Sequence, residues 1–330
     1  MVVKMPPWFN RLSKAVEKGK IKGRFDSHTH TFLGQQGDRG ADTPSIMRTA
    51  KERGISVFAI TDHNNCEGIN DALNVAGKHK DVHIVPGIEL DAYYRGKMIH
   101  IAGIGIDPNH HELEDINRQY HAIYMPRYNT LYKKAAKMKP EQRKFFLSEF
   151  GTLPSHFGKK ISDENLRDAV RIVASEKLAF FLAETVIGVI HRAGGIASLT
   201  HPTVTFEEEI AKNGISALKP IMEDLVRKGL DGFEVVNPNA VKSKAKISHE
   251  QELTKLAQGI RKSDAFLATG KPHFVVTGGS SERNWSRVPE ELLFGKPEDS
   301  LNAVHLPPIL NAIKHRWILN ALGRVRQPLI

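Results

Sequence analysis

Residues Gly23–His30 read GRFDSHTH, a short strand-like run that ends in two histidines one residue apart. Two further runs repeat this form: SVFAITDH (Ser56–His63) ends in aspartate and histidine, and VHIVPGIEL (Val82–Leu90) carries a glutamate near its end. Helical patterns separate the three runs, near Pro44–Arg53 and Glu67–Lys78. Short apolar strands that alternate with helices predict βα units on a parallel sheet.

The alternation extends over most of the chain, with one long interruption. KMIHIAGIGI (Lys97–Ile106) predicts a fourth strand, and GIASLTHP, DGFEVVN and HFVVTGG predict three more after residue 194. Between them the pattern is helical and charged, which indicates a helical cap inserted into the series. We therefore predict an α/β barrel formed by residues 24–108 and 186–330, a cap over residues 109–185, and a basic N-terminal extension over residues 1–23.

Composition restricts the class of protein. The 330 residues are 40% hydrophobic and 25% charged, which is typical of a globular chain with a sizeable core. There is no apolar run near the roughly 20 residues that span a bilayer, and the start lacks the apolar segment of a secretory signal. The single cysteine, Cys66, cannot form an internal disulfide. We expect a soluble, cytoplasmic protein whose N-terminal helix packs on its own domain through Trp8 and Phe9.

The chain is basic, with 47 Lys and Arg against 37 Asp and Glu, a formal net charge of +10. A basic surface attracts phosphate-bearing partners and speeds their arrival. The excess is spread along the chain, with clusters at Lys133–Lys139 and Lys242–Lys246 and no basic tract interleaved with aromatic residues. The charge therefore supports a phosphate-bearing partner only together with an active site of matching chemistry.

Side chains able to bind metal stand at the ends of successive predicted strands. In an extended strand, residues two apart point to the same side, so His28 and His30 can reach one point. Such residues at the carboxyl ends of barrel strands are typical of an active site. The predicted metal ligands are His28, His30, Asp62, His63, Glu89, His100 and His201. One histidine at such a position would more often be a core or capping residue, but the shared placement favours a metal site.

The residue types indicate which ions and which chemistry to expect. Mixed imidazole and carboxylate ligation suits Zn, Mn or Fe better than Mg or Ca. A carboxylate such as Glu89 can bridge two ions, and paired ions activate water and neutralise charge on a transferring phosphate. The sequence has neither a P-loop nor a dinucleotide-binding glycine pattern, which argues against nucleotide-driven phosphoryl transfer and hydride transfer. We expect divalent cations at this site.

The motifs DSHTHTF, FAITDHN, VPGIEL, MIHIAGIGID, HRAGGIASLTHP and GLDGFEVVN resemble, in order and spacing, those of the PHP family (polymerase and histidinol phosphatase). The resemblance covers residues 24–106 and 186–283. It implies a distorted (β/α)7 TIM-like barrel, up to three metal ions and phosphoesterase activity. With its inserted cap the chain is similar to the branch that includes nucleotide and bisphosphate phosphatases and a 5′–3′ exonuclease acting on RNA.

The resemblance also implies how the ligands are shared. His28, His30 and Glu89 would hold a first ion, and Glu89 would hold a second together with His100 and His201. A third ion would be faced by His63, which has Asp62 as its neighbour in the motif.

The chain departs from the family pattern mainly at the third ion. Gln35 stands where the family usually has an aspartate, and Asp38 follows three residues later. The last family motif, usually TGGSDxHG, here reads TGGSSER, so Ser281 replaces the aspartate of the first ion and Arg283 the histidine of the third. The third ion is left with a single ligand unless Asp38 or Glu282 approaches it, whereas the first two ions keep three each.

The sequence leaves three functions open. In the first, water activated at a two-metal site hydrolyses a nucleotide or a small phosphorylated metabolite. Arg283 would then supply the charge of the missing ion, because a guanidinium forks onto phosphate oxygens. His63 or His201 would assist proton transfer, and Arg127 of the cap and Asn237 would contact the substrate. In the second, the same site cuts RNA or DNA ends. In the third, the site is inactive and binds a phosphorylated ligand. The sequence does not predict an oligomeric state.

Overall fold

The computed structural model describes residues 3–21, 24–31, 42–52, 54–79, 81–151, 153, 157–175, 181–236, 246–272, 274–278 and 306–322. One sheet of seven strands lies within these residues. The strands are β1 (Arg24–Thr29), β2 (Ile55–Ile60), β3 (His83–Tyr94), β4 (Lys97–Ile104), β5 (Ile196–Leu199), β6 (Gly232–Val236) and β7 (Val275–Gly278).

The sheet follows chain order from β1 to β7 and curves until its two edges meet. At the meeting edges the Ser27 hydroxyl donates to the carbonyl oxygen of Gly278 over 2.8 Å, and the Gly278 amide donates to the same hydroxyl oxygen over 3.0 Å. A seven-stranded α/β sheet nearly closed into a barrel confirms the predicted fold class.

One strand runs against the others, so the prediction of a parallel sheet is wrong for β4. This strand pairs antiparallel with both β3 and β5, whereas all other neighbours pair in parallel. The reason is local: only Arg95 and Gly96 separate β3 from β4, and both have positive φ (48° and 83°). Two such residues make the tight turn that matches strand twist in a hairpin, and a connection this short cannot cross over to a parallel strand.

Helices fill the connections between the other strands. In the described part of the chain they are α1 (Pro7–Glu17), α2 (Thr43–Glu52), α3 (Ile69–Gly77), α4 (His111–Ala136), α5 (Pro140–Ser148), α6 (Asp163–Ser175), α7 (Ala183–Arg192), α8 (Pro202–Thr205), α9 (Glu207–Asn213), α10 (Leu218–Arg227), α11 (Lys246–Arg261), α12 (Asp264–Leu267) and α13 (Leu306–Ala321). Helices α11 and α12 are separate because Ser263, just before α12, has extended backbone and its hydroxyl caps α12 by accepting from the Phe266 amide.

The inside of the barrel is apolar at one end and polar at the other. Val57, Ala59 and Val85 belong to a buried cluster that α1 and α13 cover, so these two helices plug the apolar end. Trp8 and Phe9 of α1 are buried in this plug, which confirms that the N-terminal helix packs on its own domain. Four residues beyond Val85 on the same strand lies Glu89, so the polar end begins where the apolar layer stops.

The helices α4, α5 and α6 lie within the predicted cap and share a buried cluster of their own. Four tyrosines spaced four residues apart stack along α4, with ring centroids 5.1–5.9 Å apart: Tyr120, Tyr124, Tyr128 and Tyr132. We call α4 to α6 the cap; its exact limits at residues 109 and 185 stay a prediction. Of the helices in the described residues, none has both the length and the apolar composition needed to cross a membrane.

Candidate metal centre

The strands bring the predicted ligands to one end of the barrel. His28 and His30 end β1, His63 follows β2, Glu89 lies on β3, and His201 follows β5. The antiparallel β4 contributes through its first half instead of its carboxyl end. His100 pairs in register with Asp91, and its carbonyl oxygen accepts from the Thr200 amide over 3.1 Å.

Glu89 is the centre of the arrangement, and its carboxylate is fully buried. Five imidazoles surround it, three at one oxygen and two at the other. The nitrogens nearest to Oε2 are His28 Nε2 at 3.1 Å, His63 Nδ1 at 3.2 Å and His30 Nε2 at 3.4 Å. Those nearest to Oε1 are His201 Nε2 at 3.2 Å and His100 Nδ1 at 3.3 Å. A carboxylate with imidazoles at both oxygens is the arrangement that a bridging ligand between two ions requires.

Two groups of three residues place their donor atoms within 4.8 Å of one another. The first consists of His28, His30 and Glu89, the set expected for the first ion. The second consists of His63, Glu89 and His100. His201 lies beside the second group, with Nε2 3.2 Å from His100 Nδ1. The structure therefore brings His63 to Glu89 and His100, whereas the sequence had placed it on a separate third ion.

The side chains fit a cation. Among the residues that the structure describes, His201 Nδ1 is buried without a hydrogen-bond partner, and Glu89 Oε2 and His63 Nδ1 are buried, 3.2 Å apart, without a well-aligned hydrogen bond. A buried polar atom without a partner costs about 1–3 kcal/mol, and a divalent ion would satisfy several of these atoms at once. Imidazole nitrogens together with carboxylate oxygens suit Zn, Mn or Fe.

Two carboxylates that the sequence reasoning missed stand behind the histidines. Glu234 Oε1 lies 2.7 Å from His28 Nδ1, and its Oε2 accepts from the His201 amide over 2.8 Å. Asp91 Oδ1 lies 3.3 Å from His100 Nε2. Each contact leaves the other ring nitrogen facing Glu89, as in metal sites where an outer carboxylate fixes the tautomer and orientation of a ligand. A signal existed for Glu234: it is the one ionisable residue between the apolar residues of GFEVV.

Asp62, a predicted metal ligand, contacts Thr31 through both of its carboxylate oxygens. Its two carboxylate oxygens accept from the amide and the hydroxyl of Thr31, both over 2.6 Å. The carboxylate thus holds the chain just after His30 and is absent from both groups of donor atoms in the described residues. A ligand role for Asp62 stays a prediction.

Charge within the cluster follows from burial and neighbours. Burial favours the neutral forms, but the imidazoles of His28, His63 and His100 hold the pKa of Glu89 well below its usual value. Burial also opposes protonation of His28, yet the carboxylates of Glu89 and Glu234 raise its pKa well above its usual value. For His63 burial prevails and lowers the pKa well below its usual value, which leaves a neutral imidazole, the form that binds metal.

The backbone is strained at two positions of the site. His201 has φ 31° and Asn64 has φ 48°, a region that residues other than glycine rarely occupy. Asn64 is held by reciprocal hydrogen bonds with Asp91, each 3.1 Å long. The backbone amide of His201 donates to Glu234 Oε2, which holds His201 in this conformation. Strain of this kind persists where surrounding contacts fix it, and it clusters at functional sites.

Several predicted site residues lie outside the described residues: Gln35, Asp38, Asn237, Ser281, Glu282 and Arg283. Arg127 is described, and its Nη2 donates to the carbonyl oxygens of Phe150 and Val173. It therefore ties α4 to the ends of the other cap helices, and a phosphate contact, which stays a prediction, would have to use its other nitrogens. The pKa of His63 is lowered mainly by burial and also by the neighbouring histidines. The positive charge of Arg171 on α6 makes a smaller contribution in the same direction.

Comparisons with known proteins identify a family and several similar proteins. The family model of the PHP domain matches residues 26–192. A 5'-3' exoribonuclease of Haemophilus influenzae is 26% identical over 194 residues, which cover 54% of this chain and 69% of the relative. The 5'-3' exoribonuclease Rnm of Escherichia coli and that of Salmonella typhimurium are each 25% identical over 54% of this chain and 65% of the relative. The matched part thus spans about two thirds of each relative.

Two solved structures share the fold. An amidohydrolase from Chromobacterium violaceum superposes with a TM-score of 0.55 at 19% identity, over 89% of this chain and 96% of that chain. A protein from Bifidobacterium adolescentis, provisionally named a metal-dependent phosphoesterase, superposes with a TM-score of 0.57 at 18% identity and the same coverage. At these identities the likeness shows the fold alone.

Proposed function

Because the chain belongs to the PHP domain family, we propose that its metal centre removes nucleotides from the 5′ end of RNA. The reaction class, metal-dependent hydrolysis of a phosphoester bond, follows from the family together with the buried His/Glu cluster. The observation that carries the class is the bridging position of Glu89, with imidazoles at both of its oxygens. The choice of RNA is supported by the relatives named 5'-3' exoribonuclease and by the net charge of +10.

The proposed work of each side chain follows from its position. His28, His30 and Glu89 would hold one ion, and Glu89, His63, His100 and His201 are the candidates for a second. When bound, such ions lower the pKa of water and neutralise charge on the phosphate. Glu234 and Asp91 would accept a proton-bearing nitrogen of His28 and His100, so that the unprotonated nitrogen of each ring faces Glu89.

Proton transfer and phosphate binding need further groups. We assign proton transfer to His201, whose Nε2 faces Glu89 while its Nδ1 has no hydrogen-bond partner in the described residues. His63, the other predicted participant, belongs to the second group of donor atoms, which His201 does not, and is therefore better placed to bind metal. Arg283 and Asn237 stay proposed substrate contacts.

A phosphatase acting on mononucleotides or bisphosphates is the second candidate. It is favoured by the burial of the site, since His28, His30 and Glu89 are all buried. A small phosphorylated molecule enters such a site more readily than a folded RNA. Both candidates use the same ions and the same phosphate contacts, so they differ in the substrate alone.

The test is metal analysis of the purified chain together with turnover of two substrate sets. We expect about two metal equivalents, and release of mononucleotides one at a time from 5′-phosphorylated oligoribonucleotides. If the protein hydrolyses mononucleotides and bisphosphates but leaves the RNA uncut, the phosphatase is selected. An ion-loaded protein that hydrolyses neither set would overturn the proposal in favour of an inactive phosphate-binding protein.

Two matched pairs of variants connect the activity to this site. His201→Gln should lower kcat by about 10²–10⁴-fold if it transfers a proton. His191→Gln, a buried histidine on α7 outside the site, should leave kcat near the wild-type value. Arg283→Ala should lose far more activity than Ser281→Ala; equal and negligible losses would show that Arg283 does not replace an ion.

A further inference from the structure

The inner face of β3 continues outward past the metal centre. Side chains alternate between the two faces of a strand, so Glu89, Asp91 and Tyr93 point to the same side. The residues between them, Leu90 and Ala92, point the other way and are buried in a core cluster shared with α7 and α10. Tyr93 therefore lies on the same face as the bridging carboxylate, one position on that face beyond Asp91.

Met98 and Leu182 flank Tyr93 on this face. Met98 of β4 is the in-register partner of Tyr93. On the other edge of β3, Leu182 forms a parallel bridge with Tyr93, whose amide donates to the carbonyl oxygen of Phe181 over 2.8 Å. Paired residues on neighbouring strands have their side chains on the same face, and the Phe181 side chain packs on the core cluster of the opposite face. Leu182, Tyr93 and Met98 thus form one row, which we call the apolar shelf.

The apolar shelf is the layer directly outside the metal-binding side chains. His100 and Asp91 are an in-register pair, and they form the row between Glu89 and the shelf. Two residues advance about 7 Å along a strand, so the shelf lies about 7 Å beyond the row of His100. A molecule held by its phosphate at the metal centre would have its remaining atoms on this outward side.

Two side chains of the shelf are open to solvent although both are large and apolar. Tyr93 is 40% exposed and Leu182 is 51% exposed. The hydroxyl oxygen of Tyr93 lies 3.8 Å from the point where Gly96 would carry a Cβ, so the ring extends along the hairpin, outward from the metal centre. Single exposed apolar residues are ordinary, but adjoining ones beside a polar site indicate a contact surface.

We propose that the apolar shelf binds the nucleobase of a nucleotide whose phosphate is held at the metal centre, with Tyr93 as the stacking surface. This inference rests on the proposed function, because a phosphate at the metal centre is what brings a base to the shelf. Aromatic side chains stack on all bases, since every base has a π-face. The shelf would thus favour nucleotides over other phosphate esters without selecting a base sequence.

The chemistry of the shelf distinguishes a base from other occupants. A ribose or another polyol presents hydroxyl groups, and the shelf offers these a single polar group, the phenol of Tyr93. A protein partner requires about 800 Å² of contact on each side for a standard interface, far more than three side chains provide. A flat, largely apolar base matches both the size and the character of the row.

Two probes that cannot be hydrolysed separate the base from the phosphate. They are the methylenephosphonate analogues of 5′-AMP and of ribose 5-phosphate, in which carbon replaces the ester oxygen. Both carry the same anion and only the first carries a base. Their binding to the metal-loaded full chain is measured by isothermal titration calorimetry.

Four variants assign the binding to the shelf. Tyr93→Ala removes the ring, and Tyr93→Phe keeps it. Leu182→Ser removes the neighbouring apolar side chain without adding charge, and serine suits the N-cap position that Leu182 occupies before α7. Leu267→Ser is the matched control, because Leu267 is 63% exposed on α12, before the start of β7 and so at the barrel end opposite the metal centre.

We expect the wild type to bind the adenosine probe about 5- to 100-fold more tightly than the ribose probe, the range that stacking on one aromatic side chain supplies. Tyr93→Ala should abolish this preference and leave the affinity for the ribose probe unchanged, whereas Tyr93→Phe should retain the preference. Leu182→Ser should reduce it, and Leu267→Ser should not.

Equal binding of the two probes by the wild type would overturn the proposal. A Tyr93→Ala variant that weakens both probes equally would overturn it as well, because the ring would then act on the phosphate site or on the fold. The proposed function fails separately: 5′-phosphorylated oligoribonucleotides would stay uncut while Tyr93→Ala still removed the preference for the adenosine probe. Oligoribonucleotides that are cut by a protein without this preference would overturn the shelf alone.

Discussion

Replacing Glu234 by glutamine changes a buried contact behind the metal centre without changing its shape. The glutamate uses two acceptor oxygens: one faces His28 Nδ1 at 2.7 Å, and the other accepts from the His201 amide at 2.8 Å. Glutamine has one acceptor oxygen and an NH₂ group, so at one of the two contacts its NH₂ group would face another hydrogen-bond donor. If His28 binds metal through Nε2, its Nδ1 carries the proton and cannot accept from the NH₂ group of the glutamine.

The expected cost lies in metal affinity. Loss of an outer partner of a ligating histidine typically weakens metal binding by about 10–100-fold, or about 1.4–2.8 kcal/mol. We expect the upper part of this range for Glu234→Gln, since both side chains are fully or almost fully buried and water cannot replace the lost acceptor. Competition with a chromophoric chelator, followed with metal analysis, measures the affinity of each ion.

Two further carboxylates make the experiment specific. Asp91→Asn should weaken the ion that His100 holds and spare the one at His28, because Asp91 stands behind His100 alone. Asp224→Asn is the control: this carboxylate accepts from the Tyr94 hydroxyl on the outside of the barrel and should leave both ions unchanged. If Glu234→Gln binds both ions with wild-type affinity, then Glu234 does not orient His28, and the reasoning from the two-oxygen contact is wrong.

Four other substitutions test the fold, its pH dependence and the cap. Gly232→Ala would place Cβ 2.0 Å from the carbonyl oxygen of Val275 and should lower the free energy of unfolding by about 3 kcal/mol or more, whereas Gly259→Ala, in open space on α11, should raise it by about 0.5–1 kcal/mol; denaturant titration measures both. Burial, against the attraction of the adjacent carboxylate, lowers the pKa of His191 from 6.5 to about 4, so the unfolded chain binds more protons between these values. The free energy of unfolding should therefore fall by up to about 3 kcal/mol as the pH drops from 6.5 to 4, and the loss should be smaller in His191→Gln. Arg127→Ala should destabilise the cap by about 1 kcal/mol through its two carbonyl contacts, seen as faster proteolysis of the cap, while an unchanged cap with a raised KM would show that Arg127 binds substrate.

The fold could be predicted because its signals are local and repeated. Each strand that ends in a ligand shows the same change from apolar to polar residues, and histidines two apart on β1 must share a face. The direction of β4 was missed although Arg95 and Gly96 are a hairpin signal. Helices elsewhere separate the strands, and that rhythm led to the expectation of a parallel strand. The two-residue gap should have outweighed the rhythm, because chain length decides whether a crossover is possible.

The candidate ligands could be predicted from the sequence more completely than the carboxylates that contact them from behind. Histidines at strand ends are visible in the sequence, but a carboxylate behind them is visible only as a charge within an apolar strand. Glu234 is such a charge, between the buried Phe233 and Val235. Asp91 is two residues from Glu89 and shares its face, which is the same period-two argument that identified His28 and His30. Applied to β3, that argument would have found it.

The grouping of His63 could not have been predicted, since it depends on which oxygen of Glu89 each imidazole approaches. From the motifs alone, His63 was left on a third ion that had lost its other ligands. In the structure its Nδ1 lies 3.2 Å from Glu89 Oε2, and it forms a group with Glu89 and His100. His63 therefore belongs with the other four imidazoles around one buried carboxylate, and the candidate metal centre rests on that carboxylate.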